Sequence, residues 1–149
     1  MTTKLNLKGT ARTILTHDDG RVEVFEQHNM IVNSGFNFII SSMINSGNNR
    51  PDPMGYIALG TGDTAAAATQ TALVNEAYRA AGTWQWTAGS KTFTLTASWA
   101  KGAVLGTITE AGVFNAASGG TMLDRLVFST PFTGASDIQY TQQLEFEIA

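Results

Sequence analysis

Apolar and polar residues alternate along most of this chain, which is the pattern of β-strands with one buried face. The clearest example is residues 138–148, where Tyr140, Leu144 and Phe146 share one face and Gln142 is the single interruption. The same alternation, bounded by turn sequences, predicts six further strands at residues 5–15, 22–26, 83–87, 91–99, 107–115 and 122–129, and the short apolar run 56–59 predicts a seventh that is buried. Asp18-Asp19-Gly20 predicts the turn of the first hairpin, because glycine adopts positive φ readily.

One segment has a helical period instead. Its apolar residues recur at spacings of three and four, at Phe36, Ile39, Ile40, Met43 and Ile44. This spacing predicts a short α-helix over about residues 34–46, with Asn33 or Ser34 as the N-cap and Gly47 as the stop. The fold class expected is therefore mainly β: an antiparallel β-sandwich or jelly roll of about eight strands with one helix.

The length of 149 residues predicts a single domain spanning 1–149, with residues 1–10 either a strand or an extended arm. Only 14% of the residues are charged, against roughly 25% in an ordinary soluble domain. Disordered chains combine low hydrophobicity with high charge. This chain has few charged residues and 43% hydrophobic residues, so its composition argues against disorder. The outward strand faces are instead rich in Thr, Gln and Ser, which cost less to desolvate against a neighbour than charged side chains do.

Composition also excludes several classes of site and partner. The absence of cysteine rules out disulfides, thiolate metal sites and a cysteine nucleophile. His17 and His28 have no second ligand at zinc spacing, so neither a metal nor a cofactor is expected. The nine basic residues are scattered and the isoelectric point is near 5.2, which argues against nucleic-acid binding. No apolar run approaches the roughly 18 residues of a membrane span, so no membrane partner is expected.

Two features resemble parts of enzyme sites. The glycine-rich stretch 60–64 (Gly-Thr-Gly-Asp-Thr) lacks the Gly-Lys-Ser/Thr ending of a phosphate loop, which favours a glycine turn. Glu110 lies on the more apolar face of its strand, and closing the hairpin at Ser118-Gly119 would place it opposite Leu126 and diagonal to Asp124.

Two interpretations of Glu110 follow from that placement. The favoured one is a structural carboxylate held by backbone N–H groups or by an arginine, Arg125 or Arg79. The other pairs Glu110 with Asp124 as the two carboxylates of an inverting glycosidase.

Aromatic residues at period two give the candidate interface. Trp84, Trp86 and Trp99 are expected in the core or at a subunit interface, with a carbohydrate-binding platform as the alternative. Leu5 and Leu7 join them as interface candidates, because an N-terminal arm could add a strand to a partner.

Four segments together carry a family resemblance. They are residues 29–35 (Asn-Met-Ile-Val-Asn-Ser-Gly), 56–64 (Tyr-Ile-Ala-Leu-Gly-Thr-Gly-Asp-Thr), 71–79 and 107–125, the last beginning Thr-Ile-Thr-Glu-Ala-Gly-Val-Phe-Asn. In this order they resemble small structural proteins of tailed bacteriophages, often described as tail-fibre-like or virion-associated. The resemblance spans residues 20–148. Its motif residues are taken as structural: Gly60, Gly62, Glu110, Gly112, Phe114 and Arg125.

The resemblance implies a β-sandwich virion protein without enzymatic activity, assembled in the host bacterial cytoplasm. A capsid cement protein bridging neighbouring major capsid subunits ranks first, because no fibre shaft accompanies the module. A tail, baseplate or tail-fibre component is the alternative, followed by a glycan-binding module and lastly an enzyme. The partners expected are the major capsid protein or tail proteins of the same virion, and further copies of the chain as a homodimer or homotrimer.

Overall fold

A computed structural model describes residues 4–149 of the chain. Its elements follow in the order β1 (Leu7–His17), β2 (Val22–His28), β3 (Met30–Ile31), α1 (Asn33–Ile44), a 3₁₀ turn (Gly47–Asn49), β4 (Tyr56–Gly60), β5 (Glu76–Ala81), β6 (Thr83–Trp86), β7 (Thr92–Trp99), β8 (Gly106–Phe114), β9 (Met122–Gly134) and β10 (Ile138–Ile148).

The strands form two five-stranded sheets that enclose a common core. The first sheet has the order β2-β1-β10-β7-β6 and the second β3-β9-β8-β4-β5, and all paired strands are antiparallel. Side chains from both sheets meet between them, including Leu95 and Phe146 from the first and Ile57 and Leu126 from the second. The predicted mainly-β sandwich with one helix is confirmed.

The interruption in the last strand is a polar residue within the core. Gln142 lies on the inward face of β10 and is fully buried. The hydroxyls of Thr13 and Tyr140 donate to its side-chain oxygen at 2.9 and 3.2 Å, and its amide donates to the Arg12 carbonyl at 3.2 Å. These partners offset the desolvation of the amide, so the strand continues without a break.

The second sheet is covered on its outer face as well. Residues 61–75, between β4 and β5, lie over this face and contribute Leu73 to a small second core. That core consists of Val32, Ala58, Leu73, Phe114 and Met122. As a result, β4 is buried on both faces, which explains its continuous run of apolar residues.

Helix α1 lies against β9, and backbone contact fixes its position. Gly35 approaches so closely that a Cβ atom there would overlap the Leu123 carbonyl oxygen. The predicted caps are wrong: Val32 is the N-cap, and Asn45 ends the helix in an extended conformation before Gly47. Ser34 does not cap because its hydroxyl donates to the Met122 carbonyl at 2.7 Å and docks the helix on β9.

The N-terminal segment and the strand count differ from the sequence-based expectation. Residues 7–10 of the suggested arm belong to β1, and Asn6 continues the ladder by exchanging two backbone hydrogen bonds with Ala149 at 2.9 Å. Residues 1–3 of that arm lie outside the described residues. The structure adds β5 and the two-residue β3 to the predicted strands, and β9 extends beyond Ser129 to Gly134.

The close approach of α1 to β9 can be tested with Gly35→Ala. Helix propensity alone favours alanine by about 1 kcal/mol. Overlap with the Leu123 carbonyl should reverse that sign and cost roughly 1–3 kcal/mol in the free energy of unfolding, measured by urea denaturation.

Gly55→Ala is the matched control, because a Cβ there meets no atom within 4 Å and the residue has no positive φ. We expect it to change the free energy of unfolding by no more than about 0.5 kcal/mol. Equal losses in the two variants would contradict the docking described for α1.

Candidate functional site

Glu110 lies at the centre of the covered outer face of the second sheet, and its carboxylate is completely buried. One oxygen, Oε2, accepts hydrogen bonds from the backbone N–H groups of Gly62 and Asn75, both at 2.8 Å. The other, Oε1, accepts from the Val74 N–H at 2.8 Å. A single side chain therefore holds both ends of the covering segment 61–75 against the sheet.

Arg125 supplies the fourth hydrogen bond and the compensating charge. Its Nε donates to Glu110 Oε1 at 2.9 Å, and both side chains are fully buried. Its Nη1 donates to the Thr64 carbonyl at 2.8 Å and to Oε1 of Gln70 at 3.1 Å, so the arginine reaches the middle of the same segment. The ion pair thus ties β8, β9 and segment 61–75 together.

Three glycines of the sequence motifs make room for this centre. A Cβ atom on Gly60 would lie 2.5 Å from the Asn75 carbonyl oxygen, and one on Gly62 would lie 2.5 Å from Oε2 of Glu110. A Cβ on Gly112 would lie 2.7 Å from the Asp124 carbonyl oxygen. The stretch 60–64 is therefore the end of β4 and the start of an irregular loop, and it has glycine at 60 and 62 because the chain passes so close to the Glu110 carboxylate and its partner segment.

Arg79, the other candidate partner of Glu110, has a separate role. It forms a bidentate pair with Glu76 and donates from Nη1 to the carbonyls of Ala116 and Gly119, both at 2.8 Å. Its guanidinium carbon lies 3.9 Å from the centre of the Phe114 ring. Arg79 therefore fastens the edge strand β5 to the turn between β8 and β9.

Asp124 occupies a different environment from the one expected. Bulges in the β8–β9 ladder place Glu110 opposite Val127 rather than Leu126, and Asp124 opposite Val113. Asp124 is fully buried and accepts hydrogen bonds from the Val113 N–H at 3.0 Å and from the Asn29 amide. Burial raises the pKa of its carboxyl from 3.8 to about 7, and these hydrogen bonds only partly oppose the rise.

The proposed carboxylate pair has no access to a substrate. Glu110 and Asp124 are both at zero exposure, and all of the hydrogen bonds described above come from the protein. A glycosidase requires both carboxyl groups to flank a bound sugar. The arrangement instead matches the structural interpretation of Glu110.

The five predicted interface residues fall into two groups. Trp99 is 7% exposed and packs edge-on against Tyr140, with ring centroids 5.8 Å apart, so it belongs to the core rather than to an interface. Leu7 is half-buried and packs against that core. Leu5, Trp84 and Trp86 are exposed, at 73%, 36% and 63%.

Sequence reasoning missed the exposed stripe of α1. The helix packs on the core through Phe38 and Ile39, which leaves a second apolar row facing outward. We call the surface formed by this row and its neighbours the apolar end face, defined by Leu5, Phe36, Ile40, Met43, Ile44 and Trp84. The signal that could have revealed it is the absence of any charged residue from the helix.

The remaining polar candidates form no recognisable centre. His17 lies 2.7 Å from a carboxylate oxygen of Glu23, and no group of three metal-binding side chains occurs among residues 4–149. Within the same range, no helix has the length and apolarity needed to cross a bilayer.

Comparison with protein families gives one match. The family model described as Podophage GP4 fiber I protein gp80 matches residues 37–149, about three quarters of the chain. The matched part runs from within α1 to the end of the chain and includes Glu110 and Arg125. No curated protein and no solved structure gives a significant match.

The buried ion pair can be tested with Glu110→Gln. The substitution leaves Arg125 without its counter-charge and places an amide where backbone N–H groups converge. We expect a loss of about 3–5 kcal/mol in the free energy of unfolding, measured by urea denaturation. Hydrogen exchange at the amides of Gly62, Val74 and Asn75 should accelerate together, because all three donate to Glu110.

Glu26→Gln is the matched control, since it removes an exposed ion pair with Arg12 at 3.1 Å. Its expected cost is below about 1 kcal/mol. Comparable losses in the two variants, or unchanged exchange at the three amides, would refute the role assigned to Glu110.

The buried Asp124 carboxyl should make stability depend on pH. Because the folded pKa is about 7 and the unfolded value about 3.8, the folded state retains a proton that the unfolded state releases between these values. The free energy of unfolding should therefore fall as pH rises from 4 to 7, by up to roughly 4 kcal/mol from this group.

Asp124→Asn should reduce that fall, whereas the exposed control Glu147→Gln should leave it unchanged. Urea denaturation at a series of pH values measures both. Parallel pH profiles for the wild type and Asp124→Asn would contradict the assignment.

Proposed function

Since the chain belongs to the podophage GP4 fiber I protein gp80 family, it is a small tailed-phage virion structural protein of the tail-fibre-like kind, and we propose that it serves as a subunit of the tail-fibre assembly. The family match is the observation that carries this proposal. It supports the tail-fibre alternative better than the capsid cement role that the sequence motifs alone had ranked first.

The described side chains are consistent with a contact role rather than a catalytic one. The only carboxylates suggested for chemistry, Glu110 and Asp124, are buried in structural hydrogen bonds. Six exposed large apolar residues instead form the apolar end face. We therefore propose a non-enzymatic subunit whose partners are further copies of itself and neighbouring tail proteins.

The glycan-binding alternative has weaker support. Trp99 is buried, so the three tryptophans do not form one platform. The Trp84 indole is fixed by donation to the Met54 carbonyl at 2.6 Å and packs near Phe93 and Phe146. Trp86 alone offers a largely exposed ring, and its N–H donates to the Ser90 carbonyl at 2.9 Å.

Location in the particle tests the proposal. Antibody raised against the purified chain, carried on colloidal gold, should label the tail region of intact virions. After particles are dissociated and fractionated, quantitative mass spectrometry should find the chain with tail proteins, in a small fixed number of copies. A gold-labelled tail protein of the same phage serves as the positional control.

Labelling over the whole shell, with copies in proportion to the major capsid protein, would overturn the fibre role in favour of cement. Absence of the chain from purified virions would overturn both structural roles.

A further inference from the structure

The apolar end face is unusual for a surface exposed to water. Its helical members Phe36, Ile40, Met43 and Ile44 are 46–74% exposed, although each has a large hydrocarbon or thioether side chain. Isolated apolar residues on a surface are ordinary, but a contiguous group of this size is the pattern of a binding surface.

Helix α1 has apolar side chains around most of its circumference. One row faces β9 and the core through Phe38 and Ile39, and the exposed row lies beside it. The remaining positions are Gly35 and Ser or Asn residues, and no residue of the helix is charged. A helix with apolar residues this far around its circumference is typical of one buried on more than one side.

A groove runs alongside this helix and completes the surface. It has a volume of about 420 Å³ and lies between α1 and the end of the first sheet, where Leu5, Trp84 and Ile148 form the opposite wall. Among the described residues, Asn6 and Ser42 are its only polar lining residues. Phe36 and Met43 of the helical row line the groove on its helix side, and Ile40 and Ile44 extend the same row as a ridge beside it.

The area of this face is sufficient for stable association. At the observed exposures each of its six residues offers on the order of 100 Å², and together about 700 Å², close to the ~800 Å² that each partner buries in a standard protein interface. It exceeds the roughly 300–600 Å² of the largest apolar patch on a typical monomer.

We propose that the apolar end face is the contact between copies of this chain, with the α1 ridge of one copy packed in the groove of the next. The proposal rests on the fibre role proposed above, because a fibre subunit is repeated within one assembly. Ridge and groove lie on the same face, so that copies related by a rotation axis can exchange them and close a dimer or trimer.

Charge favours a second copy over other occupants. Each chain carries a net charge of −3, and like-charge repulsion between two copies is smallest where they meet through a surface without charged side chains. This face is such a surface. Neither α1 nor the groove lining contains Lys or Arg, which an anionic membrane would require, and the groove has too few polar groups to bind a sugar.

Self-association of the full chain provides the test. Sedimentation equilibrium and light scattering on the wild-type protein should show a concentration-dependent dimer or trimer. Met43→Lys, which places a charge on the ridge at a 73% exposed position, should weaken association by at least about a hundredfold. Val22→Lys adds the same charge at a comparably exposed apolar residue on β2, away from this face, and should leave association unchanged.

Two further measurements keep the test decisive. Urea denaturation of each variant shows whether folding is retained, and Met43→Gln, which is polar but neutral, provides a second ridge variant in case Met43→Lys does not fold. In the cysteine-free chain, Ile44→Cys provides a single thiol whose alkylation should slow as protein concentration rises and the face becomes covered.

A wild type that stays monomeric at all concentrations, or an oligomer unaffected by both ridge variants, would overturn the proposal. These results are independent of where gold labels the virion. Tail labelling with a monomeric chain defeats only the proposed contact, whereas shell labelling with a ridge-dependent oligomer defeats only the fibre role.

Discussion

The buried carboxylate of Glu110 is the constraint on which the second sheet depends. A charge removed from water must be matched by nearby donors, and here the match consists of Arg125 and three backbone N–H groups. Those N–H groups belong to one segment, residues 61–75, so satisfying the charge also fixes the path of the chain across the outer face of the sheet. Covering that face creates the small second core around Leu73 and Phe114. The glycines at 60 and 62 follow from the same requirement, because any side chain there would occupy the space of the carboxylate or its partner segment.

The two sheets differ in how completely the chain's own segments cover them, and this difference explains which surface is left exposed for contact with other chains. The outer face of the second sheet is closed by its own covering segment, and its edge strand β5 is fastened by Arg79. The first sheet has no such cover at the end where Trp84, Phe93 and Phe146 cluster, and α1 closes this end only in part. Among the described residues, few polar side chains are available to make this end compatible with water, because the groove is lined almost entirely by apolar residues. The fold therefore leaves an apolar groove and the exposed row of α1 side by side at this end, in keeping with the proposed role as a subunit in an assembly.

Period-two alternation was sufficient to predict most of this fold, because a half-buried strand imposes its pattern directly on the sequence. The first hairpin and the final strand follow from it, whereas β4 follows from its continuous apolar run and the helix from apolar residues spaced three and four apart. Strand β5 was missed because the Ala-rich edge strand Glu76–Ala81 buries little and shows no clear alternation. The pairing of Glu110 was misplaced by one residue because bulges in the β8–β9 ladder leave no local sequence signal. The choice of Arg125 over Arg79 as the partner of Glu110 depends on tertiary packing. So does the exposure of Ile40 and Met43, because the spacing of two apolar rows on one helix does not reveal which row faces the core.

The part of the chain that matches the family model does not include the whole sandwich. The matched residues 37–149 contain β4–β10, and therefore the Glu110 centre, the covering segment and most of the apolar end face. They do not contain β1 and β2, yet β1 pairs with β10 along the full length from Leu7 to His17 and lies in the interior of the first sheet. Without β1, the ladder on one side of β10 would be unpaired and Ala11 and Leu15 would be lost from the core. The first hairpin is thus an integral layer of this domain rather than an appended arm. Leu5 lies on the apolar end face because the residues that follow it in the chain form β1, which pairs with β10. The ladder that completes the sandwich is therefore also what completes the proposed contact surface.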